Sequence, residues 1–135
     1  MARPRSDHPT PAELEVLHVL WDRGEATVRD VQEALDRRRP RAYTSVMSLL
    51  NVMTEKGLLR RTPRGKAFVY AARVGARKTL AGLLKDVLQR GFRGSASLLL
   101  AHLLDEARPG REEIEEIRRT IEEYREHRKE KGGGR

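Results

Sequence analysis

Apolar positions recur along this chain in short helical periods, separated by capping and turn residues. Leu14, Leu17 and Trp21 form one stripe, with Leu20 beside it. Val28, Val31 and Leu35 form a second, and Val46, Leu49, Leu50 and Met53 form a third at i, i+3, i+4 and i+7. Helix starts accompany the first two stripes. Thr10-Pro11-Ala12-Glu13 offers a cap, a proline suited to the first helical position and a glutamate that completes a capping box; Thr27-Val28-Arg29-Asp30 repeats the capping logic. The first helix is predicted to end at Gly24, the second before Arg37, and the third, within residues 41–61, at Lys56-Gly57. Glu25-Ala26 is a connector with room for one strand-like pairing. Trp21 continues its stripe and is expected in the core rather than as a platform for a ligand.

After Gly57 the period changes. Leu58–Thr62 reads as a strand, Pro63-Arg64-Gly65-Lys66 as a turn and Ala67–Ala71 as a returning strand. Three helices followed by a hairpin with a basic tip is the layout of a winged helix-turn-helix, in which the third helix enters the major groove and the wing touches the backbone. Beyond Arg73 the character shifts again. Leu80, Leu83, Leu84, Val87 and Leu88 predict an amphipathic helix closing near Gly91. Ser95 or Ser97 can cap the next, which carries Leu98, Leu99, Leu100, Leu103 and Leu104. Pro109-Gly110 breaks the chain, and a last helix from about Arg111 carries Ile114, Ile117, Ile121 and Tyr124 at heptad spacing.

The expected architecture is mainly α with a small β-hairpin wing. A flexible arm is expected over residues 1–9, a winged-helix domain over 10–73, a three-helix region over 74–131 and a disordered tail over 132–135. Three such helices have little core to bury against alone, so self-association is the economical expectation. Leu80, Leu84, Val87, Leu99, Leu103, Ile114, Ile117, Ile121 and Tyr124 are its candidate residues. A two-fold dimer would set two winged domains on one duplex.

Charge sharpens this picture. The chain carries a net +8, and the window from Asp36 to Lys66 holds nine lysines and arginines against Asp36 and Glu55. That window accounts for +7 of the total, so the basicity is local, as on a surface that meets a polyanion. Stepping about 100° per residue puts Thr44, Ser48, Asn51 and Glu55 opposite the apolar face of the third helix. Asparagine can pair with adenine, and serine or threonine can meet base edges or a thymine methyl group. Thr44, Ser48 and Asn51, with Tyr43 and Ser45 near the helix start, are therefore the candidate base contacts. Arg41, Arg64 and Lys66 are candidates for phosphate or the minor groove; Arg37, Arg38 and Arg39 read equally as a solvated charge run. An ordinary surface helix is the plain alternative for the third stripe taken alone. A winged module that meets an acidic protein partner is the alternative for the whole domain.

Other chemistries find little support. Six aromatic residues are few for stacking on single-stranded nucleic acid. No cysteine is present, which excludes disulfides, thiolate metal sites and cysteine nucleophiles. His8, His18, His102 and His127 fall on different elements without paired spacing, so no metal or cofactor is expected. No nucleophile triad, phosphate loop or strand-borne carboxylate pair is visible, and an enzyme is not expected. The N-terminus has no signal-peptide core, and no apolar run approaches the ~18–20 residues that span a bilayer. No membrane association is expected, and the cytoplasm is the expected compartment.

Leu14–Leu35 (LEVLHVLWDRGEATVRDVQEAL), Ala42–Arg61 (AYTSVMSLLNVMTEKGLLRR), Arg64–Ala72 (RGKAFVYAA) and, more loosely, Ser97–Arg119 (SLLLAHLLDEARPGREEIEEIRR) together resemble the penicillinase-repressor (BlaI/MecI) family of winged-helix transcriptional repressors. The resemblance implies a homodimer that binds a palindromic operator through its N-terminal domains and associates through its C-terminal helices. It also implies base and backbone contacts from the start of the third helix and the wing. An inactivating protease is a further implied partner, since members that respond to β-lactams are cut at an Asn-Phe bond in the dimerisation region. Ala101-His102 stands at the corresponding place here, a departure that puts that switch in doubt. Metal sensing through a cysteine-rich C-terminal segment, as in copper-responsive relatives, is excluded.

Overall fold

A computed structural model describes residues 8–132. The arm expected over residues 1–9 lies outside the described residues as far as residue 7, as does the tail from residue 133. Pro9, at the end of that arm, is buried.

Helix α1 (Pro11–Arg23) opens on the expected capping box. The Glu13 backbone N–H donates to Thr10 Oγ1 at 3.1 Å, and the Thr10 N–H donates to Glu13 Oε1 at 2.9 Å. Helix α2 (Val28–Asp36) repeats it with Thr27 and Asp30. The Thr27 backbone N–H, opposed by partial desolvation and helped by the Thr27 hydroxyl and by Arg23, holds the Asp30 carboxyl below its ordinary range. Helix α3 (Tyr43–Glu55) has no side-chain cap; it ends where Leu58 N–H reaches back to the Met53 carbonyl and Gly57 takes φ +86°, a left-handed closure that favours glycine.

Strands β1 (Leu59–Arg64) and β2 (Ala67–Ala72) form an antiparallel hairpin with Leu59 opposite Ala72 and Arg64 opposite Ala67. The turn is tighter than the expected Pro63-Arg64-Gly65-Lys66. Pro63 and Arg64 remain in the ladder, and Gly65-Lys66 alone makes the loop. Gly65, at φ +63°, supplies the positive φ that a two-residue hairpin needs at its first central position. The pairing expected near Glu25-Ala26 is present: Tyr70 N–H donates to the Ala26 carbonyl at 2.8 Å, and Ala26 N–H donates to the Tyr70 carbonyl at 3.0 Å.

The core joins one side of each element. Val16, Leu17 and Leu20 of α1 meet Val28, Val31 and Leu35 of α2, Val46, Leu50 and Met53 of α3, and Leu59 and Tyr70 of the hairpin. Trp21 is half-buried against this cluster, and its Nε1 donates to the Val74 carbonyl at 2.9 Å. That bond holds the chain leading into α4 (Ala76–Asp86), which packs against α1.

Glu13 does more than cap. It is 3% exposed, and Lys56 Nζ at the end of α3 donates to both its carboxylate oxygens, at 2.8 and 2.9 Å. Burial alone would raise the carboxyl's pKa; the Lys56 ammonium and the Thr10 backbone N–H outweigh it and hold the group below its ordinary value of 4.5. A carboxyl with a depressed folded value contributes stability above its unfolded pKa and loses it as pH falls through the folded one. Glu13→Gln should therefore destabilise the domain by about 2–4 kcal/mol near neutrality, because it strands a cation and weakens a cap. Urea unfolding at pH 7 and pH 3 is the check: the difference between wild type and variant should shrink in acid. An equal gap at both values would refute the role.

The chain divides into two compact units, one ending at Asp86 and the other starting at Val87. In the second, Val87–Gly91 forms a π-helical turn, so the helix expected to close near Gly91 does so with a change of pitch. Helix α5 (Ala96–Ala107) is capped by Ser95, whose Oγ accepts from Leu98 N–H at 3.1 Å. It closes on Arg108 in the left-handed region. Helix α6 (Arg111–Gly132) runs one residue into the expected tail. No described residue from Val87 onward is buried.

Candidate nucleic-acid interface

The apolar side of α3 is sealed by α1, α2 and β1, which fixes what its other side presents. Tyr43, Thr44, Ser45 and Ser48 are all exposed, and Thr44, Ser45 and Ser48 border a shallow concavity with Leu49 and Val52. On the flank toward the wing, Tyr43 and Met47 share a groove with Thr27, Val28 and Arg29 of the α2 start and with Lys66, Ala67 and Phe68 of the hairpin. The groove encloses about 430 Å³. It brings Tyr43 and Lys66, widely separated in sequence, to one surface.

Sequence reasoning did not single out Arg29, Met47 or Phe68. Arg29 carried a usable signal, since the capping box orients the first turn of α2 and leaves its second residue pointing outward. Met47 and Phe68 carried none, because only the folded hairpin makes them neighbours.

The cations divide by what holds them. Lys66 and Arg60 are exposed and have no ion partner among the described residues. Arg64 is exposed and paired with Glu25 at 3.1 Å. Arg41 differs in kind. Its side chain is 12% exposed and its guanidinium donates to Glu15 of α1 at 3.0 Å. Its backbone N–H donates to Asp36 at 2.7 Å, and its carbonyl accepts from Gln32 at 3.0 Å. Arg41 thus fastens the α2–α3 loop to both preceding helices and fixes the direction in which α3 starts; Arg38 reaches the same Glu15 at 3.9 Å.

Asn51 is half-buried and already engaged. Its Oδ1 accepts from Arg61 Nη1 at 3.2 Å and from the Tyr70 hydroxyl at 3.3 Å. A guanidinium can only donate, so the amide face toward the wing must be its oxygen.

The candidate dimerisation residues keep their apolar surface in solvent. Leu80 and Leu84 on α4 and Val87 after it are exposed. In the second unit Leu103, Ile114, Ile121 and Tyr124 are exposed and Leu99 and Ile117 half-buried. Ala101 and His102 lie exposed within α5, where the His102 ring sits 5.2 Å from that of Phe92. No group of three or more metal-ligating side chains occurs among the described residues, and none of their helices is long and apolar enough to cross a membrane.

Residues 9–123 match the penicillinase repressor family along most of the chain. The chain belongs to that family. It is 38% identical over 113 residues to the transcriptional regulator BlaI of two Mycobacterium tuberculosis strains, covering 82% of this chain and 80% of the relative. The penicillinase repressor of Bacillus licheniformis is 24% identical over 119 residues, covering 88% and 93%. A solved DNA-binding domain of the repressor BlaI is similar at 25% identity and a TM-score of 0.46, covering 50% of this chain and 82% of that one. Penicillinase repressors are transcriptional regulators, not enzymes, and the absence of catalytic chemistry expected from the sequence agrees with that membership.

Proposed function

We propose that this member of the penicillinase-repressor family represses transcription as a homodimer on a palindromic operator. In each copy α3 lies in the major groove, with Tyr43, Thr44, Ser45 and Ser48 toward base edges. Lys66 and Arg64 on the wing take backbone phosphates, and Arg29 joins them from the start of α2. Arg41 serves by fixing the α2–α3 loop, with its charge spent on Glu15. The single observation that carries this reading is the groove shared by the α2 start, α3 and the wing. It sets exposed polar and cationic groups along one face of a helix whose other side is core.

The dimer rests on the helices. A soluble monomer seldom leaves this much contiguous apolar surface uncovered. The residues that stay exposed are those with heptad or amphipathic spacing, and a second copy of the same helices supplies a like surface for them.

Selecting genomic fragments on the purified protein, followed by gel shift of the recovered duplex with random competitor, tests the proposal. A two-fold symmetric sequence should emerge and survive competition. Binding to an acidic protein with no duplex shifted at low salt would favour the interaction module instead. Within a successful selection, Lys66→Ala should weaken every duplex alike and lower the slope of log affinity against log salt by about 1. A change confined to one base pair would place Lys66 in a groove instead.

A further inference from the structure

We propose that Asn51 is a positioning residue: its side-chain carbonyl clasps the wing to the recognition helix. Two donors from different strands converge on Oδ1, Arg61 from β1 and Tyr70 from β2, and these two residues face each other in the ladder. Tyr70 is the more constrained of them. It is 2% exposed, and its backbone is bonded in both directions to Ala26. Its hydroxyl therefore meets Asn51 from a fixed point in the core. Arg61 is held on its other side as well, with its guanidinium 4.5 Å from the centre of the Phe68 ring. Phe68 is two residues from Tyr70 and projects from the same face of the hairpin. Asn51, Arg61, Phe68 and Tyr70 thus form one connected joint between the third turn of α3 and the base of the wing.

Two consequences follow from hydrogen-bond valence. A bidentate pair with adenine needs the amide oxygen as acceptor and the amide nitrogen as donor. With Oδ1 already holding two donors, Asn51 would have to surrender the clasp in order to read a base that way. Removing the acceptor leaves a buried hydroxyl without a partner and frees the guanidinium, so the cost falls on the angle between wing and helix. Asn51 then governs how well the wing's cations and α3 engage one duplex together. It carries no choice among bases.

This effect on DNA rests on the function proposed above, whereas the clasp itself is a property of the free protein, and the tests separate the two. In hydrogen exchange on the free full-length chain, Asn51→Ala should speed exchange of the β1–β2 ladder amides relative to those of α1. Asn51→Asp, which keeps an acceptor for both donors, should leave the ladder protected. On DNA, Asn51→Ala should weaken the selected operator and each of its single-base variants by a common factor of about 5–10, with the order of preference kept. Asn51→Ala combined with Tyr70→Phe should be no weaker than Asn51→Ala alone. Unchanged ladder exchange in Asn51→Ala, or a loss of preference at one base pair in both Asn51→Ala and Asn51→Asp, would overturn the proposal. If wild type fails to bind duplex DNA, the proposed function falls, and the exchange measurement still decides the clasp.

Discussion

Operator affinity should fall about 10³–10⁵-fold between 50 and 200 mM salt if the dimer makes roughly 6–10 phosphate contacts. The expectation follows from where the charge lies. The window from Asp36 to Lys66 carries +7 of the chain's +8, and part of it is neutralised internally: Arg41 and Arg38 turn toward Glu15, Lys56 toward Glu13 and Arg64 toward Glu25. Lys66, Arg60, Arg37 and Arg39 remain in solvent without an ion partner among the described residues, and Arg29 adds a further cation beside the groove. Doubling that set in a dimer reaches the number of contacts the salt slope requires. Titration of a fluorescent duplex at four salt concentrations gives the slope directly. A flat line would mean that phosphates do not supply the affinity, and the proposed function would fail with it.

Breaking the C-terminal seam should have an effect of similar size. Ile117 and Ile121 lie on α6 one turn apart, half-buried and exposed respectively, and glutamate at either place keeps a good helix former. Burying an isoleucine against a partner is worth about 1.5–3 kcal/mol. Ile117→Glu with Ile121→Glu should thus raise the dimer dissociation constant by about 10²–10⁴-fold. Light scattering at micromolar concentration should then report a monomer with its helical circular dichroism kept. Gel shift should show the operator bound one copy at a time, at far higher protein concentration. A variant that remains dimeric would locate the seam elsewhere, with Leu80 and Leu84 on α4 the next positions to test.

What was legible in the sequence was local. Both capping boxes, the apolar stripes of α1 to α3, the closure at Gly57 and the strand-like pairing of Ala26 involve neighbours a few residues apart or a period that repeats. Such signals survive without knowledge of the fold. The hairpin was legible as a pair of strands, but its turn was placed too wide, since Pro63 and Arg64 look like turn residues and only the register shows them paired. The illegible features join distant residues. Glu13 reads as half of a cap, and nothing near it announces Lys56 at the far end of α3. Arg41 reads as a free cation until Glu15 is found beside it. Asn51 reads as a solvated or base-reading amide because Arg61 and Tyr70 reach it from strands whose register the sequence leaves open.

The tight turn of the wing also sets a rule for its reach. Each strand residue advances about 3.3 Å and reverses the face to which side chains point. One residue added to each strand near the tip would turn Gly65-Lys66 toward the opposite face. Two added to each would restore the face and carry Lys66 about 6.6 Å outward, close to two steps along one DNA strand at about 3.4 Å per base. A wing of this kind lengthens its footprint in increments of two bases, and the pleat, more than the identity of the residues at the tip, fixes that unit.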